Sequence, residues 1–217
     1  GYVAPRTRFD RESKLDSRPY HLVLLCKNNK GYQNLIKLVS LGYTEGFYNK
    51  PRVDIELLEK YNEGLICLSA CLAGEIPRQL VNNNYEGAKK TALKYLEIFG
   101  AGNYYLEIQD HGISEQKNII PLICRLSNET GIPLVATNDV HYIREEDAVP
   151  HDLLLCIQTG KKVSDQDRMR YEGGQYYLKS EEEMQKVFPY AREAMDNTHK
   201  IAERCNVCLL YTSPSPR

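Results

Sequence analysis

Three apolar runs in this chain each end in side chains that can bind a metal ion or move a proton. Leu65-Ile66-Cys67-Leu68-Ser69 leads to Cys71, Tyr105-Leu106-Glu107-Ile108 leads to Asp110 and His111, and Leu134-Val135-Ala136 leads to Asp139-x-His141. A thiolate, an imidazole and a carboxylate are the donors of transition-metal sites, and parallel α/β sheets build their sites at the carboxyl ends of strands. Each segment also has a plain structural reading. Cys71 suits a core thiol, Asp110-His111-Gly112 suits a turn with Gly supplying positive φ, and Asp139-x-His141 suits a capped loop. His21 lies inside Tyr20-His21-Leu22-Val23-Leu24-Leu25, where an imidazole costs free energy unless something bonds it; a ligand role and a satisfied core His both answer that.

The elements that would position these residues follow from periodicity. A strand over residues 20–27 is broken by Asn28-Asn29-Lys30-Gly31 before Tyr32, Leu35, Ile36, Leu38 and Val39 recur at helical spacing. The pattern then predicts a short helix over 54–61, a buried strand over 64–69, helices over 74–81 and 85–99, and a strand over 104–108. Ser114 is placed to cap a helix ended by Gly131, and residues 133–137 read as the next strand. A helix over 145–159 precedes a loop rich in Asp, Lys, Arg and Gly over 160–174. Residues 176–179 suit a short strand, Ser180-x-x-Glu183 is a capping box, and Pro189 leads into a last helix ending near Cys205. Strands alternating with helices argue for a parallel α/β sheet or barrel, and four or five strands are too few to close a barrel alone.

The bulk properties narrow the function. With 28 basic against 29 acidic side chains in 217 residues, no whole-chain field attracts nucleic acid or an anionic membrane. No apolar run reaches the ~20 residues of a membrane span and no signal peptide is present, so a cytoplasmic location and no membrane partner are the expectation. Seven cysteines is an odd number. Cys26, Cys67, Cys124 and Cys156 sit in apolar segments, as reduced core thiols do. Walker A, Gly-x-Gly-x-x-Gly and Gly-x-Ser-x-Gly motifs are all missing. The Tyr-rich, Lys/Arg-rich stretch over 161–179 is either a solvated loop or a contact for a phosphate backbone. His151 and His199 read as surface or helix-side groups. The Ser/Pro-rich tail over 208–217 suits a disordered or artefactual end, and the Gly1 start suits an internal fragment.

Several segments resemble a known family in order and spacing. They are Tyr2-Val3-Ala4-Pro5-Arg6, Tyr20-His21-Leu22-Val23-Leu24-Leu25, Asn34-Leu35-Ile36-Lys37-Leu38-Val39-Ser40 and Leu68-Ser69-Ala70-Cys71-Leu72-Ala73-Gly74-Glu75. With them stand Tyr105-Leu106-Glu107-Ile108-Gln109-Asp110-His111-Gly112, Ala136-Thr137-Asn138-Asp139-Val140-His141-Tyr142 and Ile201-Ala202-Glu203-Arg204-Cys205-Asn206-Val207. Together, over residues 1–207, they resemble the polymerase and histidinol phosphatase (PHP) domain of bacterial replicative DNA polymerase III α subunits.

The resemblance implies a distorted (β/α)7 barrel, incomplete here because its first strands are missing. It implies a cluster of divalent ions (Zn, Mn or Mg) held by an N-terminal His-x-His, an Asp, a His, a Glu, a His, a Cys or His, and a closing Asp-x-His. On that pattern His21, Cys71, Asp139 and His141 match the later His, the Cys and the closing pair, while the earlier ligands would lie upstream of Gly1. His111 is the one further candidate for a catalytic role beside that site. The family's polymerase aspartates lie downstream of Val207, so nucleotidyl transfer, with its Mg, belongs to the parent protein. Its implied partners are DNA, dNTPs, the sliding clamp, the clamp loader and a proofreading subunit. The PHP region itself is expected to act as a metal-dependent 3′→5′ exonuclease or as a docking scaffold for proofreading, and by itself to bind metal weakly and degrade no DNA. The alternative of another class is a free-standing PHP phosphoesterase acting on a small phosphate ester.

Overall fold

The computed structural model describes residues 1–209, so residues 210–217 of the Ser/Pro-rich tail lie outside the described residues. In chain order the elements are β1 (Tyr2–Val3), β2 (Tyr20–His21), β3 (Val23–Cys26), α1 (Asn29–Thr44), β4 (Arg52–Val53), α2 (Ile55–Lys60), β5 (Leu65–Leu68), α3 (Glu75–Val81), α4 (Tyr85–Phe99), β6 (Tyr104–Ile108), α5 (Ser114–Thr130), β7 (Leu134–Ala136), α6 (Ala148–Thr159), α7 (Glu181–Val187) and α8 (Arg192–Arg204). They form a mixed α/β fold with two sheets that do not close on each other. One has the order β2-β1-β4 and the other β3-β5-β6-β7.

The run over 20–27 is not one strand. It splits at Leu22 so that β2 pairs with β1 in the first sheet while β3 pairs with β5 in the second. Strands β5, β6 and β7 are parallel, as expected, but β3 is antiparallel to β5, with Val23 opposite Leu68 and Cys26 opposite Leu65. A short apolar run carries no record of strand direction, and the long connection through α1, β4 and α2 permits either. Residues 176–179 form a single bridge, Tyr142 with Tyr177, rather than a strand.

Helix starts follow local chemistry closely. Asn28 caps α1 by accepting from Gly31 N, Asp54 caps α2 through Leu57 N, and the Ser180–Glu183 capping box opens α7. Gly31 is also a packing requirement, because a Cβ there would lie 2.0 Å from Gly64 O. Ser114 does not cap α5. Gly112, at φ +85°, brings the chain into helical register early, so Ile113 takes the cap position and Ser114 Oγ donates to the Glu115 carboxylate instead.

Strands β5 and β6 are buried along their whole length, which explains runs that are apolar on both alternating faces. Leu65 and Cys67 face the core that α3, α4 and α5 cover, where Leu80, Tyr104, Leu106 and Ile119 also pack. Ile66, Leu68, Tyr105 and Val135 face the other way onto Ile201 of α8, and Asn197 of α8 donates to Leu134 O at 2.8 Å. Seven free cysteines include Cys67, wholly buried as a core thiol. No helix among the described residues is long and apolar enough to cross a membrane.

The first sheet rests on one buried cation. Arg52, 0% exposed, donates to the carbonyls of Gly46 (3.0 Å), Asp16 (2.9 Å), Arg8 (3.0 Å) and Asp10 (3.1 Å), fastening the 4–19 loop to β4. Its partners are carbonyls rather than a carboxylate, so the geometry of the loop is fixed by directed bonds. Nearby, Arg8 bonds Asp54 and Glu45 and Arg6 bonds Asp16.

Arg52→Met should destabilise the fold by about 3 kcal/mol, since it leaves several buried carbonyls without donors; a urea midpoint equal to wild type would contradict this. On the surface, Lys89 and Arg125 hydrogen-bond Glu129 and hold its carboxyl at about 2, below its ordinary 4.5. A carboxyl with a lowered folded pKa stabilises at higher pH and loses that contribution as the pH falls through the folded value. Stability should therefore decline between about pH 4.5 and 2 less steeply in Glu129→Gln than in wild type, measured by urea unfolding across that range.

Candidate metal and phosphoester site

A cleft of about 380 Å³ opens where the two sheets meet, at the carboxyl ends of β5, β6 and β7. His21, Cys71 and Asp139 line it, together with Tyr2, Ala70, Glu107, Gln109 and Thr137. The seam between the sheets is held by main-chain bonds from His21 N to Ala73 O and from Leu22 N to Gly1 O, both 3.0 Å. His21 therefore sits at a sheet junction, half-buried, with its Nδ1 3.6 Å from Cys71 Sγ and its ring edge-on to Tyr2. Burial pushes the His21 imidazole down and the Cys71 thiol up from their ordinary values.

The strand ends are shaped by two residues in the left-handed region, Ala70 at φ +65° and Asp139 at φ +42°. Such backbone is uncommon outside glycine and costs about 1–2 kcal/mol. Here it reverses the chain directly after β5 and β7, turning Cys71 and Asp139 toward the cleft instead of onward along the strand.

Glu107 holds these turns. Its side chain, 4% exposed near the carboxyl end of β6, accepts from Ala70 N at 2.5 Å, from Thr137 Oγ1 at 2.7 Å and from Gln109 Nε2 at 3.4 Å. Its own N–H donates to Ser69 Oγ at 2.8 Å. One carboxyl thus ties the ends of three neighbouring strands. Burial, with Asp139 adding to it, pushes the carboxyl up from its ordinary range, against the bonds from Thr137 and Ala70. Neither Glu107 nor Gln109 was expected at the site. The signal for Glu107 was the same one that marked His21, an ionisable residue inside an otherwise apolar strand.

The remaining expected residues go elsewhere. Asp139 lines the cleft but His141 does not; it is exposed, with Nδ1 2.6 Å from Asp139 O and its ring 4.2 Å from Tyr171. The ring centroids of His151 and Tyr176 lie 5.2 and 4.9 Å from Tyr171, giving an aromatic wall beside the cleft. His111 is 2% exposed and both ring nitrogens are engaged: Nε2 donates to Asn138 O at 2.7 Å and Nδ1 accepts from Gln116 Nε2 at 2.8 Å. With Tyr176 stacked on its ring, His111 braces the Asn138 turn and has no free nitrogen for proton transfer. His199 lies on α8, 3.7 Å from Glu181 Oε2. The basic loop is pinned through Arg168, whose guanidinium pairs bidentately with Asp152 at 2.5 and 2.7 Å.

Tested against a divalent ion, the cleft's donor chemistry fits: an adjacent nitrogen and sulfur, a carboxylate, and no lysine or arginine among its lining. The donors make part of a coordination shell. Among the described residues no three His, Cys, Asp or Glu side chains are grouped closely enough to enclose an ion.

Comparison with known proteins gives a consistent result. A family model described as PHP domain matches residues 2–111. The chain is 50% identical over 214 residues to the DNA polymerase III subunit alpha of Treponema pallidum (strain Nichols), covering 98% of this chain and 18% of that protein. It is 46% identical over 206 residues to the protein of that name from Borreliella burgdorferi, 94% of this chain and 18% of the relative. For that of Deinococcus radiodurans the figures are 44% over 213 residues, 95% and 16%. The chain thus spans 18% or less of the length of these curated relatives.

Glu107→Ala should cost about 3 kcal/mol of stability by orphaning the Ala70 amide and the Thr137 hydroxyl, and Thr137→Val about 1 kcal/mol. The double variant should cost less than the sum, because both changes break the same bond. Additive losses in denaturant unfolding would show that the two residues do not share a network.

Proposed function

Because the chain belongs to the PHP domain family, we propose that it is the PHP domain of a bacterial replicative DNA polymerase III α subunit. The observation that carries this is identity of up to 50% along nearly the whole chain with proteins of that name, each about five times longer. The parent protein would then extend DNA from dNTPs with Mg in the cytoplasm, working with the sliding clamp, clamp loader and proofreading subunit. The complete domain would close as a distorted (β/α)7 barrel, to which the two open sheets here contribute strands.

The cleft is proposed to hold divalent ions, with His21, Cys71 and Asp139 as donors and His141 joining them. Support comes from the His21–Cys71 approach at 3.6 Å and the charge of Asp139 on a wall free of lysine and arginine. For His141 to join, its Nδ1 would leave the Asp139 carbonyl and its ring would leave Tyr171, a rearrangement of one exposed side chain. Bound divalent ions supply Lewis acidity toward a phosphodiester and a nucleophilic water at neutral pH. The chain's own part is to orient: Glu107 fixes the Ala70 and Thr137 turns, and His111 fixes Asn138 so that Asp139 keeps its aim. The reaction proposed on this arrangement is 3′→5′ exonucleolytic hydrolysis of DNA.

The second reading is a scaffold that docks a proofreading subunit, for which the cleft need hold no ion. Replacing His21 and Cys71 by Ala in the full-length protein separates the two. The catalytic reading expects loss of bound metal and at least about a hundredfold loss of exonuclease rate, with polymerisation retained. Unchanged metal content and exonuclease rate would leave only the scaffold.

A further inference from the structure

Gln109 carries a hydrogen-bonding atom that nothing among the described residues uses. Its side chain is 8% exposed and lines the cleft, and its Oε1 has no partner among the described residues. The orientation of the amide is fixed by its neighbours. The single Thr137 hydroxyl proton goes to Glu107 Oε1 at 2.7 Å, so Thr137 Oγ1 can only accept from Gln109, and it does so from Nε2 at 2.9 Å. The second Nε2 proton faces Glu107 Oε1 at 3.4 Å. Turning the amide over would set its oxygen against a carboxylate and against a hydroxyl with no proton left to give. Oε1 is therefore the edge of the amide turned away from Thr137 and Glu107.

A buried carbonyl oxygen without a donor is costly, and it is retained where something else completes it. The surroundings define what that is. Glu107 and Asp139 line the same cleft, and neither lysine nor arginine does. Two carboxyls and an amide lining one cavity make it oxygen-rich and suited to a hard cation, different in character from the nitrogen and sulfur of His21 and Cys71. Gln79, Tyr85, Tyr104 and Arg168 also have unpartnered buried atoms, but none of them lines this cleft.

We propose that Gln109 Oε1, with the Asp139 carboxylate, ligates a hard divalent cation of the Mn2+ or Mg2+ class on the wall facing His21 and Cys71. The cleft is then divided by donor chemistry, a thiophilic position beside Cys71 and an oxygen-ligated position on Gln109. Glu107 serves it as a positioning residue, holding the amide by its Nε2 edge and leaving the oxygen free. This inference rests on the metal-binding reading above and assigns it a donor that lies outside the ligand set implied by the family resemblance.

The test uses the full-length protein, stripped with chelator and reloaded with Zn2+, then titrated with Mn2+ by calorimetry and melted with and without Mn2+. Gln109→Leu should weaken Mn2+ binding about tenfold or more and abolish the Mn2+-induced rise in melting temperature, while Zn2+ stoichiometry stays at the wild-type value. Gln109→Glu keeps the length of the side chain and adds charge. It should melt lower in chelator, where a third carboxyl repels Glu107 and Asp139, yet show a larger Mn2+-induced rise than wild type. A structural role alone predicts the lower melting without the larger rise, so the Glu variant decides the matter even if the Leu variant does not fold. Mn2+ affinity within about twofold of wild type in Gln109→Leu, or an unchanged rise in Gln109→Glu, overturns the assignment of Gln109. Wild-type protein that binds neither Zn2+ nor Mn2+ overturns the metal-binding reading beneath it.

Discussion

A buried carboxyl near the carboxyl end of β6 sets the site. Among the described residues Glu107 is paired with no cation; its partners are an amide from the turn after β5, a hydroxyl from the residue after β7 and the amide side chain of Gln109 just past the end of its own strand. Placing an ionisable group there costs free energy through desolvation, and three directed bonds offset that cost only while all three strand ends keep their relative positions. The functional edge of the sheet is thereby more rigid than apolar packing alone would make it. Each bond fixes the place of a turn rather than merely adding contact area.

The second constraint is the seam between the sheets. The chain crosses it at Leu22, giving His21 to one sheet and Val23 to the other, so His21 lies at a junction where its ring can reach Cys71 from across the cleft. Arg52 keeps the first sheet and its loop in place through carbonyl bonds, at a distance from the cleft. Two buried polar hubs thus divide the work. Arg52 fastens the loop side, and Glu107 fastens the strand ends that carry Cys71 and Asp139.

The histidines show how residue type underdetermines role. His21 faces the cleft, His111 is saturated by Asn138 and Gln116 and acts as a brace, and His141 packs on the aromatic wall beside Tyr171. The same imidazole chemistry serves as donor, strut and surface group according to what its nitrogens meet.

Much of the fold was legible because helices and buried strands are written in local periodicity and local caps. Asn28, Asp54 and the Ser180–Glu183 box act within a few residues of themselves, and the apolar runs of β5, β6 and β7 needed only burial on both faces. Cys71 and Asp139 were legible as strand-end residues for the same reason. The direction of β3, the break at Leu22, the clamp by Glu107 and the free oxygen of Gln109 were not, because each depends on a partner tens of residues away: Glu107 meets Ala70 across 37 positions and Thr137 across 30. By itself the sequence determined an α/β chain with metal-type donors at its strand ends, since periodicity and residue type are local. Only the tertiary structure decided which donors share the cleft and which turn away, since that is set by long-range pairing and by where each buried polar atom finds its partner.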